Sequence, residues 1–84
     1  MADRIQCCVP YCRRTHHNRE GFIEWVCQTH WRAVRKRTKR FWRLAKAKAR
    51  NAATEKEWSK EHLRCQRAWE RCKREAVEAA MGIR

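Results

Sequence analysis

Three cysteines and one histidine near the start of the chain, Cys7, Cys12, Cys27 and His30, stand at the spacing C-x4-C-x14-C-x2-H. Thiolates and a neutral imidazole are donors that Zn(II) takes four at a time in tetrahedral sites. A full set of protein ligands leaves no position for water, so the expected chemistry is structural and not catalytic. Cys27 and His30, at the start of an expected helix, turn toward one point, while Cys7 and Cys12 flank a tight turn through Val9, Pro10 and Tyr11. Cys8 would serve equally as C-x3-C, and spacing alone does not choose between it and Cys7. One structural zinc ion is the expected cofactor.

The need for such a clamp follows from size. A chain of 84 residues encloses a marginal core unless something staples it. The first residues, Met-Ala-Asp-Arg-Ile-Gln-Cys-Cys, contain no apolar run of the kind a secretory signal has, so the reading expects a reducing cytoplasm, where clustered Cys and His mean metal or catalysis and not disulfides. No stretch approaches membrane-spanning length, and no membrane partner is expected.

The second bound is the formal net charge of +13, which favours a polyanionic partner. It is concentrated: residues 1–29 carry four bases and three acids and residues 54–81 seven bases and six acids, whereas residues 30–53 carry ten Lys or Arg and no acid.

The elements that must position these groups are expected to be mainly α-helical. Residues 1–30 read as a small zinc module with a possible short β-hairpin, and Phe22-Ile23-Glu24-Trp25-Val26 as a strand leading into Cys27. Residues 31–84 read as two helices. The first, basic helix runs over about 30–52, with an inward stripe of Trp31, Val34, Thr38, Phe41, Ala45, Ala49 and Ala52. A capping box, Thr54-Glu55-Lys56-Glu57, then opens a second helix over about 55–81 that Gly82 stops, with a stripe of Trp58, His62, Cys65, Trp69, Cys72, Ala76 and Ala79. The two should fold back as an antiparallel hairpin around Asn51-Ala52-Ala53, forming one compact unit with the zinc module; a single continuous helix is the competing picture.

The run Cys7-Cys8-Val9-Pro10-Tyr11-Cys12, followed by Val26-Cys27-Gln28-Thr29-His30-Trp31-Arg32, resembles small zinc-binding modules of phage and prophage proteins, which read C-x-V-x-G-C, a variable loop, then G-L-C-x2-H and an aromatic and a basic residue. The resemblance covers about residues 7–35. It implies a treble-clef or zinc-ribbon-like module, Cys7 as the first ligand with Cys8 a spectator, and a phage or prophage setting. Tyr11 departs from the pattern where glycine is usual, and Trp25-Val26 where Gly-Leu is usual.

Two further clusters contain potential metal ligands. Thr15-His16-His17-Asn18 is similar to the metal-binding part of HNH nucleases, but the later Asn and His of that pattern are missing, so a basic exposed loop is the expectation. His62 and Cys65 are one helical turn apart, yet Cys72 lies about 10 Å beyond Cys65 at about 1.5 Å rise per residue, so these read as small core residues. Trp31, Trp58 and Trp69 fall on inward stripes and Trp25 over the zinc module, while Trp42 lies off the stripe among cations, where it could stack on a base or complete the core.

On this reading the chain is a zinc-stabilised nucleic-acid-binding protein. It would grip phosphates through Arg32, Arg35, Lys36, Lys39, Arg40, Trp42, Arg43, Lys46 and Arg50, with DNA or RNA left open. The alternative is a protein-interaction module whose basic helix docks on an acidic host protein and inhibits or redirects it. A minimal or degenerate HNH nuclease is the third reading, and no enzymatic activity is expected. Monomer and homodimer are equally compatible with the sequence.

Overall fold

Residues 4–83 are described by a computed structural model, in which a short two-stranded sheet precedes three helices and the protein is mainly α-helical. Strand β1 (Arg4–Gln6) pairs antiparallel with β2 (Thr15–His17), Ile5 opposite His16. The ladder continues past the strands, because the Cys7 amide donates to the Arg14 carbonyl at 3.0 Å. The loop of this hairpin therefore carries both cysteines of the first pair.

The expected strand over Phe22–Val26 does not form. Phe22 and Ile23 are exposed, so nothing buries the apolar face that a strand would need. The segment instead turns through Asn18, whose side chain donates to the Phe22 carbonyl and accepts from the Phe22 amide, both at 2.8 Å. It then runs along the hairpin with one bond from the Cys8 amide to the Trp25 carbonyl at 2.8 Å. His16 and His17, expected in a loop, lie on β2 and are exposed.

The expected basic helix is broken in two. Helix α1 (Gln28–Trp31) ends in a tight turn, with Ala33 N–H donating to His30 and Val34 N–H to Trp31, each at 3.1 Å. Helix α2 (Lys36–Arg50) starts only after Arg35, which is extended. The break has a physical cause 40 residues away. Glu75, only 4 % exposed, accepts from the Arg35 amide at 3.0 Å and from the Thr38 hydroxyl at 2.7 Å. Its carboxylate thus holds the N-cap residue Arg35 by its amide and puts a negative charge at the positive end of α2, although it belongs to another helix. Val34, buried at the turn, fills the space between the two short segments.

Helix α3 (Glu55–Ala80) has the expected bounds within one residue. Thr54 accepts from the Glu57 amide at 3.1 Å, and the Glu57 carboxylate reaches back to the Ala53 amide at 3.1 Å. At the other end Gly82 has φ +74, with bonds from the Gly82 amide to Ala79 at 3.2 Å and from the Ile83 amide to Glu78 at 2.9 Å. That is a Schellman stop, which glycine adopts without the Cβ penalty.

Helices α2 and α3 form the antiparallel hairpin. The Cys72 thiol lies against the Thr38 carbonyl and the Trp42 ring against Trp69, so numbers rise on one helix as they fall on the other. The inward stripe of α2 is rotated from the expected one. Thr38 and Ala45 are buried, Phe41 is 60 % exposed, and Trp42 turns in to meet Trp31 and Trp69 with ring centroids 5.4 to 5.5 Å away. On α3 the buried positions are Ala68, Cys72, Glu75 and Ala76, while Trp58, expected inside, is 48 % exposed. The hairpin is longer than the module it carries, and the C-terminal half of α3 packs against Cys7, Cys12, Cys27 and Val34 through Cys72 and Ala76. The whole measures 40 × 37 × 14 Å.

The Glu75 contact generates a test. Glu75→Ala leaves the part-buried Arg35 amide just before α2 and the buried Thr38 hydroxyl without this partner, and should lower stability in urea by about 2–3 kcal/mol. Thr38→Val should cost about 1 kcal/mol. An effect of Glu75→Ala no larger than that of an exposed surface substitution would refute the cap.

Candidate functional site

The four residues singled out by spacing converge. The ligand atoms of Cys7, Cys12, Cys27 and His30 all lie within 4.8 Å of one another, with the three cysteines buried and the histidine half-buried. Local structure explains how each arrives. Cys27 is the N-cap of α1, in extended conformation, and His30 lies in the first helical turn, so their side chains meet: Cys27 Sγ is 3.2 Å from His30 Nδ1. Cys7 leaves the end of β1, and Cys12 follows a turn closed by a bond from its own amide to the Val9 carbonyl at 3.1 Å.

That turn has Pro10 at its second position and Tyr11 at its third with φ +68, the arrangement of a type II turn. Tyr11 is fully exposed. Tyrosine here adopts the left-handed conformation at a cost of about 1–2 kcal/mol.

The geometry suits one metal ion. A tetrahedral ion about 2.3 Å from each sulfur requires S···S edges of about 3.8 Å, and Cys12 Sγ and Cys27 Sγ are 3.8 Å apart. Cys7 Sγ to His30 Nδ1 is 3.7 Å. The donor set is three thiols and one imidazole nitrogen, with Nδ1 facing the cluster, and no position is left over. All six cysteines are free of disulfides. Cys8 is half-buried and points its amide, not its thiol, into the structure's bonding.

Groups around the ligands steady them. The Cys27 amide donates to Cys7 Sγ at 3.2 Å, and the Arg14 guanidinium lies 3.8 Å from Cys12 Sγ. Such outer contacts orient ligands and balance the charge of a thiolate-rich site. Burial pushes the Cys7 thiol up to about 11 against the bonds that would lower it. Burial also raises Cys12, but the Arg14 backbone amide and guanidinium outweigh it and hold that thiol below its ordinary value. The metal-free pocket therefore contains at least one thiol that must give up a proton when an ion enters.

The other candidates do not join this cluster. His16 stacks on Trp25 with ring centroids 5.2 Å apart, and Asn18 is used to close the 18–22 turn. His62 stacks on Trp58 at 4.6 Å. Among the described residues, Cys7, Cys12, Cys27 and His30 are the one group of three or more potential ligands.

The basic residues divide by location. Arg32 and Arg35 sit in the turn between α1 and α2, and Lys36, Arg40, Arg43, Lys46 and Arg50 are exposed on α2. Lys39 is half-buried, with Nζ 5.5 Å over the Trp31 ring, and Lys46 Nζ lies 4.6 Å over Trp42. Trp42, grouped with this surface in the sequence reading, belongs to the three-tryptophan cluster and has Lys46 as its neighbour. The ion pairs of the described residues, Arg64–Glu61, Arg71–Glu75, Lys73–Glu24 and Lys73–Glu70, all take their cations from α3.

One contact of functional weight was not legible in the sequence. Lys73 and the Trp69 indole N–H both reach Glu24, so a carboxylate from the N-terminal module latches it to α3. The Lys73 ammonium, followed by burial acting against it and the Trp69 bond, holds the Glu24 carboxyl below its ordinary value. No helix of the described residues is long and apolar enough to cross a membrane. No family model, curated protein or solved structure matches the chain.

Two outcomes follow from the site. Protein purified without a histidine tag should contain one metal ion per chain by elemental analysis, and Cys27→Ser should lose it together with the order of the N-terminal hairpin. Because Cys7 is protonated in the empty pocket and deprotonated when ligating, apparent metal affinity should rise by about tenfold or more per pH unit near neutrality and fall on acidification, as chelator competition at several pH values would show. Separately, Tyr11→Gly should stabilise the loaded protein by up to about 1 kcal/mol, the left-handed cost less the extra chain entropy of glycine; a loss of stability in thermal unfolding would contradict the turn assignment.

Proposed function

We propose that the chain is a zinc-clamped, basic nucleic-acid-binding protein that holds phosphates along α2 and the turn before it. Zinc is the ion that three thiolates and one imidazole in a closed tetrahedral set suit best, and a site without an open position supplies shape and not reactivity. The observation that carries the reading is the separation of charge. Residues 30–53 have ten bases and no acid, and three carboxylates of α3, Glu61, Glu70 and Glu75, pair with cations of α3 itself. Apart from Lys39, half-buried over Trp31, the named bases of α2 are exposed, on a helix about 22 Å long at about 1.5 Å per residue. Like charges at i,i+4 destabilise a helix unless something offsets them, and a polyanion does so. Contacts of this kind position a nucleic acid and do not read its sequence.

A second reading is favoured by one observation. Phe41 and Leu44, on α2 itself, are 60 % and 55 % exposed, as on a helix that docks on an acidic protein surface. Binding data separate the two. If about six phosphates are neutralised, affinity for DNA or RNA should fall by roughly three orders of magnitude between 50 and 200 mM salt. The double substitution Arg40→Glu, Arg43→Glu should weaken binding and reduce the salt slope by about two. Absence of a mobility shift at low salt would sink the nucleic-acid reading and leave the acidic-protein one, to be tested by substituting Phe41 and Leu44.

A further inference from the structure

Trp58 is the exposed tryptophan of the described residues. It is half-exposed and stacks on His62, with ring centroids 4.6 Å apart and planes within 9° of parallel. Eleven residues make close to three helical turns, so Trp58 lies on the same face of α3 as Trp69, about 16 Å toward the interhelical loop at about 1.5 Å per residue. Trp69 meets Trp42 on α2, and Lys46 Nζ covers Trp42 at 4.6 Å. Lys46 is therefore on the side of α2 that borders this face, and Arg50 lies one turn further toward the loop. Because the helices are antiparallel, the path from the tryptophan cluster to the loop passes Lys46 and Arg50 on one side and His62 and Trp58 on the other. Of the three acids within three residues of Trp58, Glu57 caps the Ala53 amide and Glu61 pairs with Arg64, while Glu55 stands in the first turn of α3, at its loop end.

We propose that this strip binds single-stranded nucleic acid, an unpaired base stacking on the Trp58 indole while adjoining phosphates lie on Lys46 and Arg50. The inference rests on the nucleic-acid reading above and adds to it the strandedness of the ligand. An exposed, pre-oriented aromatic stack beside a row of cations matches the alternation of base and phosphate in a single strand. A duplex offers the same phosphates but keeps its bases stacked on one another, so it gains nothing from the indole.

The test uses the full metal-loaded chain, a fluorescently labelled oligothymidylate and a DNA duplex of equal length, titrated by anisotropy at one ionic strength. The single strand should bind more tightly. Trp58→Ala should weaken single-strand binding by about tenfold while leaving duplex binding and the salt slope unchanged. Trp58→Phe should retain most of the affinity, and Trp58→Leu, which keeps apolar bulk without a π face, should lose it; metal content and far-UV circular dichroism report that each variant is folded. Equal affinity for the two ligands, or equal loss on both in Trp58→Ala, overturns the stacking platform and leaves phosphate gripping intact. Binding of neither ligand at low salt overturns both readings together.

Discussion

The largest side chains fully removed from solvent in this protein are two cysteines, Cys27 and Cys72. Around them the enclosed apolar groups are Val9, Val26, Val34, alanines and the remaining ligand cysteines, with no leucine, isoleucine or phenylalanine. At roughly 25 cal/mol per Å² of apolar area, a core of such small groups offsets little of the chain entropy. The structure therefore depends on the convergence of Cys7, Cys12, Cys27 and His30. Their junction lies inside the same contact cluster that α3 enters through Cys72 and Ala76, so an ion held there fixes the N-terminal module and the seam between module and hairpin at once.

The remaining order is supplied by polar contacts that span long stretches of sequence. Glu75 defines where α2 begins, and Glu24 ties the module to Lys73 and Trp69. Both are carboxylates meeting donors in partly or fully desolvated places, where removing one partner costs more than the bond contributes. Three indoles, Trp31, Trp42 and Trp69, close the angle between α1, α2 and α3. In a body only 14 Å thick, large half-buried rings do the work that enclosed aliphatic chains do in thicker proteins.

The use of acids links this architecture to the surface it presents. The carboxylates that act in folding sit on α3 and in the 18–26 segment, and each is committed to a cap, a latch or an i,i+3 or i,i+4 partner. Helix α2 meets a carboxylate, Glu75, at its N-terminus, and among the described residues the ion pairs take no cation from α2. Folding thus engages these five carboxylates, Glu24, Glu57, Glu61, Glu70 and Glu75, and leaves most bases of α2 outward, so that the Cys/His cluster and the basic helix are parts of one arrangement.

The sequence by itself determined what rests on local chemistry. The cluster of Cys7, Cys12, Cys27 and His30 was legible from spacing, with Cys8 the one ambiguity, and the bounds of α3 followed from Thr54, Glu57 and Gly82, because a capping box and a left-handed glycine act over three or four residues. The hairpin followed from two amphipathic stripes joined by a short connection. Tertiary structure decided three things that periodicity does not reach. It broke the basic helix at residues 32–35, since the competing partner for the Arg35 amide is a carboxylate 40 residues away. It exchanged the roles of two tryptophans, drawing Trp42 inward and leaving Trp58 out, because a stripe gives the face of a helix but only the neighbour's side chains set its rotation. It moved the strands to 4–6 and 15–17, because a strand exists only where another offers a matching row of donors and acceptors.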